Sequence, residues 1–367
     1  MDKPILITGG TGFIASYLAM HLLEAHEQVV LLDCNPDMRR ITGFNKGPSD
    51  PADPKFDPKD RYNKVKDRLT FVQGDLTSLP HVLAIFDTHE PKSVFHLGAL
   101  LSSGAEANPT FGFDVDLLGA KHVMEAARIY CQHRKVPPVH VLFPSTIASF
   151  GLFPFGDTVR PPKPEDKFIV PNEAVQMPTT IYGLSKVSVE RLGEYYNAKG
   201  WIDFRAVRFP SVIGAARGPG GTTVYSTLMV QAPLLGQSYE AYVPPDTRLD
   251  ILYVKDAVRA LVGLHAADPK SLKRRVYNIA GVRIGDQAPQ ASDIEAAVKK
   301  VAKQAVITYK DNPVLSTTVK SFGVLSAKAA HDDWKWSGPA SNLDQAVSDF
   351  ANELKNYPNR IKSIELY

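Results

Sequence analysis

The stretch Pro4-Ile-Leu-Ile7-Thr8-Gly9-Gly10-Thr11-Gly12-Phe13-Ile14-Ala15 decides the fold. Pro4 to Ile7 is a short apolar run of the kind a strand buried on both faces needs. The glycine turn follows at once and opens a helical pattern over 12–25, with Phe13, Leu18, Leu22 and Leu23 on one stripe. Gly9 permits the tight turn, Gly12 lets the backbone approach a pyrophosphate, and Ala15 lets the helix pack closely on the strand. The helix N-terminus then offers free N–H groups and positive potential to phosphates. Gln28-Val-Val-Leu-Leu-Asp33 is a second buried strand ending in an acid, 24 residues after Gly9. Strand, turn, helix and strand close in about 30 residues, the size of a βαβ unit. A carboxylate at Asp33 bonds both ribose hydroxyls and repels a 2′-phosphate, and no Arg follows immediately, which favours NAD over NADP.

Outward from this unit, apolar runs recur at Leu69-Thr-Phe-Val72, Ser93-Val-Phe-His96 and Val139-His-Val-Leu-Phe143, with helical patterns between them. The alternation predicts an α/β fold, a Rossmann doubly wound parallel sheet. Asp75, after the third strand, either meets the adenine or caps a helix. Residues 36–67 are rich in Pro, Asp, Lys and Gly without periodicity and read as a solvated excursion. Residues 152–178 carry Pro154, Pro161, Pro162, Pro164, Pro171 and Pro178 and read as a stiff ordered loop near the site. Beyond Arg208 the pattern becomes irregular, then gives a strand at Leu249–Val254, a helix at 255–267, a strand at Val276–Ile279 and an amphipathic helix near 341–356. The expected division is a cofactor-binding domain over 1–210, which also receives about 249–280, and a smaller C-terminal α/β substrate-binding domain over most of 211–367.

The net charge of +3 is too small and dispersed to indicate nucleic acid or an anionic membrane. Cys34 and Cys131 form neither a disulfide framework nor a metal-ligand set, so no metal is expected. No apolar run approaches the ~20 residues of a membrane span. A strand beginning by Pro4 leaves no room for a leader, which makes a soluble cytoplasmic protein with a small-molecule substrate the expectation.

Tyr182 and Lys186, in Ile-Tyr-Gly-Leu-Ser-Lys, share a helix face by their spacing of four. A free phenol has a pKa near ~10, and a nearby ammonium with a positive nicotinamide ring favours the phenolate. Lys186 can also bond the nicotinamide ribose. Pro144-Ser145-Thr146 ends the fifth strand, where ligands gather in a parallel sheet, and either hydroxyl can donate to a substrate oxygen. Together these residues predict hydride chemistry on a secondary alcohol.

At these positions the chain resembles the extended short-chain dehydrogenase/reductase superfamily. The motifs are the Thr-Gly-x-x-Gly-x-x-Ala turn, Gly74-Asp75-Leu76, His96-Leu-Gly-Ala99, Ser145-Thr146 and Tyr182-x-x-x-Lys186. Within it the chain is similar to epimerase-type L-threonine 3-dehydrogenases through Ala99-Leu-Leu-Ser-Ser-Gly-Ala-Glu-Ala-Asn108, Pro144-Ser-Thr-Ile-Ala-Ser-Phe-Gly151, Gly220-Gly-Thr-Thr-Val-Tyr225, Pro245-Asp-Thr-Arg-Leu249 and Asp333-Trp-Lys-Trp336. The resemblance implies catalysis by Ser145, Thr146, Tyr182 and Lys186, on an L-threonine-like β-hydroxy amino acid. It implies cofactor contacts at Gly9, Thr11, Gly12, Phe13, Ile14, Asp33, Asp75, Leu76, Leu97, Gly98, Ala99, Tyr182, Lys186 and Phe209. Substrate contacts fall on Ser102, Ser103, Thr146, Tyr182, Thr222 and Thr223, with a homodimer formed by the helix at 112–133 and the helix beginning at Tyr182.

Two positions depart from that pattern: Asp116 stands where Asn is common, and Val224 where an Asp is usual. Sugar-acid dehydrogenases of the D-erythronate type, ketoreductases and nucleotide-sugar epimerases on the same scaffold are the alternatives. The epimerases place a phosphate-binding Arg in a run that Arg248-Leu249 does not reproduce. A non-catalytic NAD-binding protein would lack Tyr or Lys, and both are present. Ser102, Ser103, Thr222 and Thr223 are pocket hydroxyls or ordinary loop and turn polarity, and Glu106 is an ammonium partner or a loop charge. His96 reads as a satisfied core histidine, Trp334 and Trp336 as packing anchors, and Glu125 and Asp256 as ordinary helix charges.

Overall fold

The computed structural model describes residues 3–151 and 169–361. Pro154, Pro161, Pro162 and Pro164 of the expected stiff loop lie outside them. Seven parallel strands form the main sheet: β1 (Ile5–Thr8), β2 (Val29–Asp33), β3 (Leu69–Gln73), β4 (Ser93–His96), β5 (His140–Thr146), β6 (Asp203–Phe209) and β7 (Val276–Asn278). Their order is β7-β6-β5-β4-β1-β2-β3, so the direction of winding reverses between β1 and β4. Ile5 pairs with Val29 on one side and with Ser93 on the other, in register.

The strands read as unbroken apolar runs because helices cover both faces. Ile5, Ile7, Leu31, Phe95, Leu142 and Val207 point to one side, where α1 (Phe13–Glu24) and the helix Val254–Ala266 pack. Leu6, Val30, Leu32, Val94, Val141 and Phe143 point to the other, against the helices Leu79–His89 and Gly119–Arg134 and the long helix Ile181–Ala198. Thr180 caps the last of these by accepting the Gly183 N–H at 3.0 Å.

Three short parallel pairs lie outside the main sheet: Ser211–Ile213 with Ile251–Tyr253, Tyr239–Ala241 with Ile307–Tyr309, and Ile169–Val170 with Val324–Leu325. The expected strand at Leu249–Val254 is trimmed, because the Leu249 N–H bonds Pro289 O and Val254 starts a helix. The closing helix spans Leu343–Asn356 behind a capping box from Asn342 and Gln345.

Residues 36–67 are not merely a solvated excursion. Ile41 and Phe44 are fully buried and Val65 nearly so. Phe44 meets Tyr17 of α1 and Tyr357 edge-on, and the Arg360 guanidinium sits 3.6 Å from its ring centre. Arg360 also donates to Arg40 O and Ser16 Oγ and pairs with Glu353. The segment thereby ties the end of the described chain to the helix that follows the glycine turn. Asp256 is likewise no ordinary helix charge: it is buried, pairs with Arg259 and accepts the Ala340 and Ser341 N–H groups. Trp336 is buried beneath Arg259, and Trp334 packs on Tyr277, as anchors do.

Candidate active site

A cavity of about 820 Å³ runs along the carboxyl ends of the strands. It gathers Gly9, Gly12, Phe13, Ile14, Leu97, Ala99, Ser102, Ser145, Thr146, Tyr182, Lys186, Phe209, Thr222 and Thr223 from the expected set. Thr11, Asp33, Asp75, Leu76, Gly98 and Ser103 lie outside its lining.

At the cofactor end, Gly9 adopts φ +64°, and a Cβ there would meet Gly98 Cα at 2.6 Å. No side chain caps α1, so its first N–H groups are free for an anion. Asp33 Oδ2 accepts both the N–H and the hydroxyl of Thr11, at 3.0 and 2.8 Å, which pins the carboxylate beside the turn. These features fit a dinucleotide. Asp75 accepts from the Thr77 N–H and hydroxyl and is exposed; Ser78, not Asp75, is the cap position of the next helix. Leu76 packs over Gly98 and Gly119. Arg40, which the sequence reading passed over, lines the cavity and donates to Thr11 O at 3.4 Å and Ala216 O at 3.1 Å.

At the reacting end, Lys186 is buried and donates to Pro144 O at 3.0 Å, with its Nζ 4.4 Å from the Phe143 ring centre and 5.4 Å from that of Tyr182. Burial lowers its pKa to about 8, against the carboxylates of Asp116 and Glu190. Burial raises the Tyr182 phenol, and Asp116 raises it further; Arg217 and a hydrogen bond with Thr146 act the other way. The expectation that Lys186 lowers the phenol is therefore modified: Arg217 and Thr146 are the groups that do so. Thr146 also accepts the Ala148 N–H. The Ser145 hydroxyl is buried and donates to Glu190 of the Ile181–Ala198 helix.

Asp116 sits in a wide helical turn, Asp114–Leu118, inside a longer helical segment. Its Oδ1 accepts the Leu100 N–H at 2.6 Å, and its buried Oδ2 has no partner among the described residues. Burial raises its pKa to about 6, opposed by Lys186. The folded value lies above the 3.8 of a free carboxyl, so charging the group as pH rises towards about 6 weakens the fold. Asp116→Asn is expected to stabilise the protein at neutral pH, on the order of 2 kcal/mol, with the gain gone below the free-carboxyl pKa. Since Asp116 raises the phenol, the variant's pH–kcat/KM limb for alcohol oxidation moves to lower pH. Overlaid profiles and denaturation curves would show that Asp116 is uncoupled.

The far wall holds Ser102 on the short helix Ser102–Ala107, and the glycine segment before Tyr225. Ser103 accepts the Gly221 N–H at 3.4 Å, the Thr223 hydroxyl accepts from Ser211 at 2.8 Å, and Thr222 O accepts from Tyr242. Glu106 lines the cavity while accepting the Ile181 N–H at 2.7 Å. Val224 is half-buried against the core. His96 bonds Thr8 through Nδ1, but its buried Nε2 has no partner among the described residues, and burial lowers its pKa to about 3. Glu125 pairs with Arg128 and Tyr196. Arg248 donates to Ala288 O and is not part of the lining. The sequence reading missed Arg217 and the cover formed by Val314, Leu315, Thr318 and Phe322. Only the fold brings that last segment over the cavity.

The bovine mitochondrial L-threonine 3-dehydrogenase is 29% identical over 339 residues, covering 91% of this chain and 78% of its own. An uncharacterized epimerase/dehydratase of Staphylococcus haemolyticus is 31% identical over 250 residues, covering 68% and 71%. A GalE-like L-threonine dehydrogenase from Cupriavidus necator in its holo form superposes with TM-score 0.76 at 26% identity, over 96% of this chain and 99% of that one. The profile of the NAD dependent epimerase/dehydratase family matches residues 5–280, which hold all seven strands, the glycine turn, Tyr182 and Lys186. The chain belongs to that family and is an NAD-dependent dehydrogenase of the extended short-chain dehydrogenase/reductase type.

Proposed function

We propose that this protein oxidises a small secondary alcohol, with an L-threonine-like β-hydroxy amino acid as the leading substrate. The observation that carries the reading is the Thr146–Tyr182 hydrogen bond above buried Lys186, in the same cavity as the uncapped end of α1. NAD, when bound, supplies the hydride acceptor; Gly9, Gly12, Phe13, Ile14 and Asp33 are the residues to hold it, and Arg40 is placed for its pyrophosphate. Thr146 orients the alcohol oxygen by a hydrogen bond. The Tyr182 phenolate takes the hydroxyl proton, and in the reverse direction the phenol returns it to the carbonyl. Lys186, held by Pro144 O, keeps a positive charge under the Tyr182 ring. Phe209 and the Val314–Phe322 cover limit access of water.

A sugar-acid or other hydroxy-acid dehydrogenase is the second reading, favoured by the apolar Val224. The relatives named as L-threonine 3-dehydrogenases support the first. Pairing into a homodimer through residues 112–133 and the Ile181–Ala198 helix is supported by exposed Phe113, Leu184 and Tyr195 on those elements. NADH absorbance with L-threonine, 3-hydroxybutanoate and D-erythronate tests the reading. NADH formation from L-threonine at the highest kcat/KM is expected. Turnover of D-erythronate alone would install the second reading, and turnover of none would end both.

A further inference from the structure

Beyond its pull on the Tyr182 phenol, Arg217 has no part in the chemistry above. It lines the cavity from the segment between Ile213 and Tyr225. Its Nη1 is fixed by two neutral acceptors, Val212 O at 2.7 Å and Thr227 Oγ1 at 3.2 Å. Nη2 lies 3.6 Å from where a Cβ on Gly221 would be, and the Ser102 hydroxyl 3.8 Å from the same point. The glycine therefore leaves a space that a guanidinium edge and a hydroxyl both face. No carboxylate pairs with Arg217 among the described residues, and the groups whose charge reaches it are the Tyr242 and Tyr182 phenols. Arg217 is half-buried, and the fully buried guanidinium groups differ from it: Arg205 pairs with Asp203, Arg208 with Glu190 and Arg360 with Glu353.

A cation drawn partly out of water gains from a counter-charge, and a guanidinium edge facing a cavity presents the geometry that a carboxylate fills. The opposite charge is poorly provided for. Glu106 is the only acid in the lining among the described residues, and it already accepts the Ile181 N–H. Asp116 lies outside the lining.

We propose that Arg217, with Ser102, binds the carboxylate of the substrate, so that the enzyme selects small hydroxy acids by their anion, with an amino group not required. This assignment rests on reading the cavity as the site of a small hydroxylated substrate. It places the carboxylate at Arg217 and the alcohol oxygen at Tyr182 and Thr146, two ends of one short molecule. Because Arg217 also lowers the Tyr182 phenol, the bound anion partly cancels its effect there.

The test separates anion binding from turnover. Butanoate and butanamide, which have no hydroxyl to oxidise, are titrated by calorimetry into the full-length protein saturated with NAD. Wild type is expected to bind butanoate about 10–100-fold more tightly than butanamide, the range of a hydrogen bond to a charged group. Arg217→Met abolishes that preference without weakening butanamide, and Arg217→Lys, which keeps a charge in case the first variant folds poorly, retains part of it. Equal affinity of wild type for acid and amide, or no saturable butanoate binding, overturns the proposal. So does a preference that survives in Arg217→Met with NAD affinity intact. If butanoate binds as expected while no hydroxy acid is oxidised, the oxidation reading fails and the anion site stands.

Discussion

Tyr182→Phe is expected to lower kcat for alcohol oxidation by about 10²–10⁴-fold, the range a positioned acid–base group contributes. The variant removes one oxygen from a half-buried side chain and leaves the ring, so Lys186 keeps its place over the Phe143 ring and its bond to Pro144 O. NAD affinity, read by fluorescence titration, should change less than about threefold, since a threefold change corresponds to well under 1 kcal/mol. Thr146 loses its phenolic partner but keeps the Ala148 N–H, so the oxygen-orienting hydroxyl stays near its place. The phenol is pushed up by burial and by Asp116 and pulled down by Arg217 and Thr146, so oxidation in wild type should rise with pH as phenolate forms. That rising limb should vanish in the variant. A Tyr182→Phe enzyme retaining more than a tenth of wild-type kcat, with the limb intact, would remove Tyr182 from the chemistry.

The parts of this site that sequence could show are those whose constraints are local. A strand covered on both faces must be apolar throughout, so β1, β2, β4 and β5 announce themselves. The glycine turn is legible because Gly9 needs both a positive φ and room beside Gly98. Tyr182 and Lys186 are legible because one helix turn sets their spacing. Arg217 gave no such signal: it sits in a Gly/Pro-rich run that looks like any turn, and its proposed role depends on Ser102 and Tyr182, which only folding brings near. Residues 36–67 misled for a related reason. An irregular segment held by Ile41, Phe44 and Val65 has no period to detect, however buried those side chains are. Nothing local reveals Glu190, 45 positions along the chain, as the acceptor for the Ser145 hydroxyl.

That partnership sets the second large effect. Glu190 is fully buried and gathers β5, β6 and the loop before the Tyr182 helix onto one carboxylate. It accepts from the Ser145 hydroxyl, from Arg208 Nη2 at 2.7 Å and Nε at 2.9 Å, and from Gln176 Nε2 at 2.9 Å. Arg208 in turn donates to Asn172 O at 2.8 Å and to Asn278 Oδ1 at 3.2 Å. Glu190→Ala strands that guanidinium without a counter-charge in the interior, which is expected to cost about 3–5 kcal/mol. Arg208→Met in the same chain removes the stranded charge, so the double variant should recover part of that loss rather than add to it. Because the pair is shielded from solvent, the cost should hardly change between low and high salt. Urea denaturation of the two single variants and the double variant measures all of this. A loss below about 1 kcal/mol for Glu190→Ala, or strict additivity in the double variant, would mean that Arg208 is solvated or paired elsewhere. The same measurement bears on catalysis: Ser145 is held by Glu190 and Thr146 is the next residue, so a weakened network should lower kcat at temperatures where the variant is still folded.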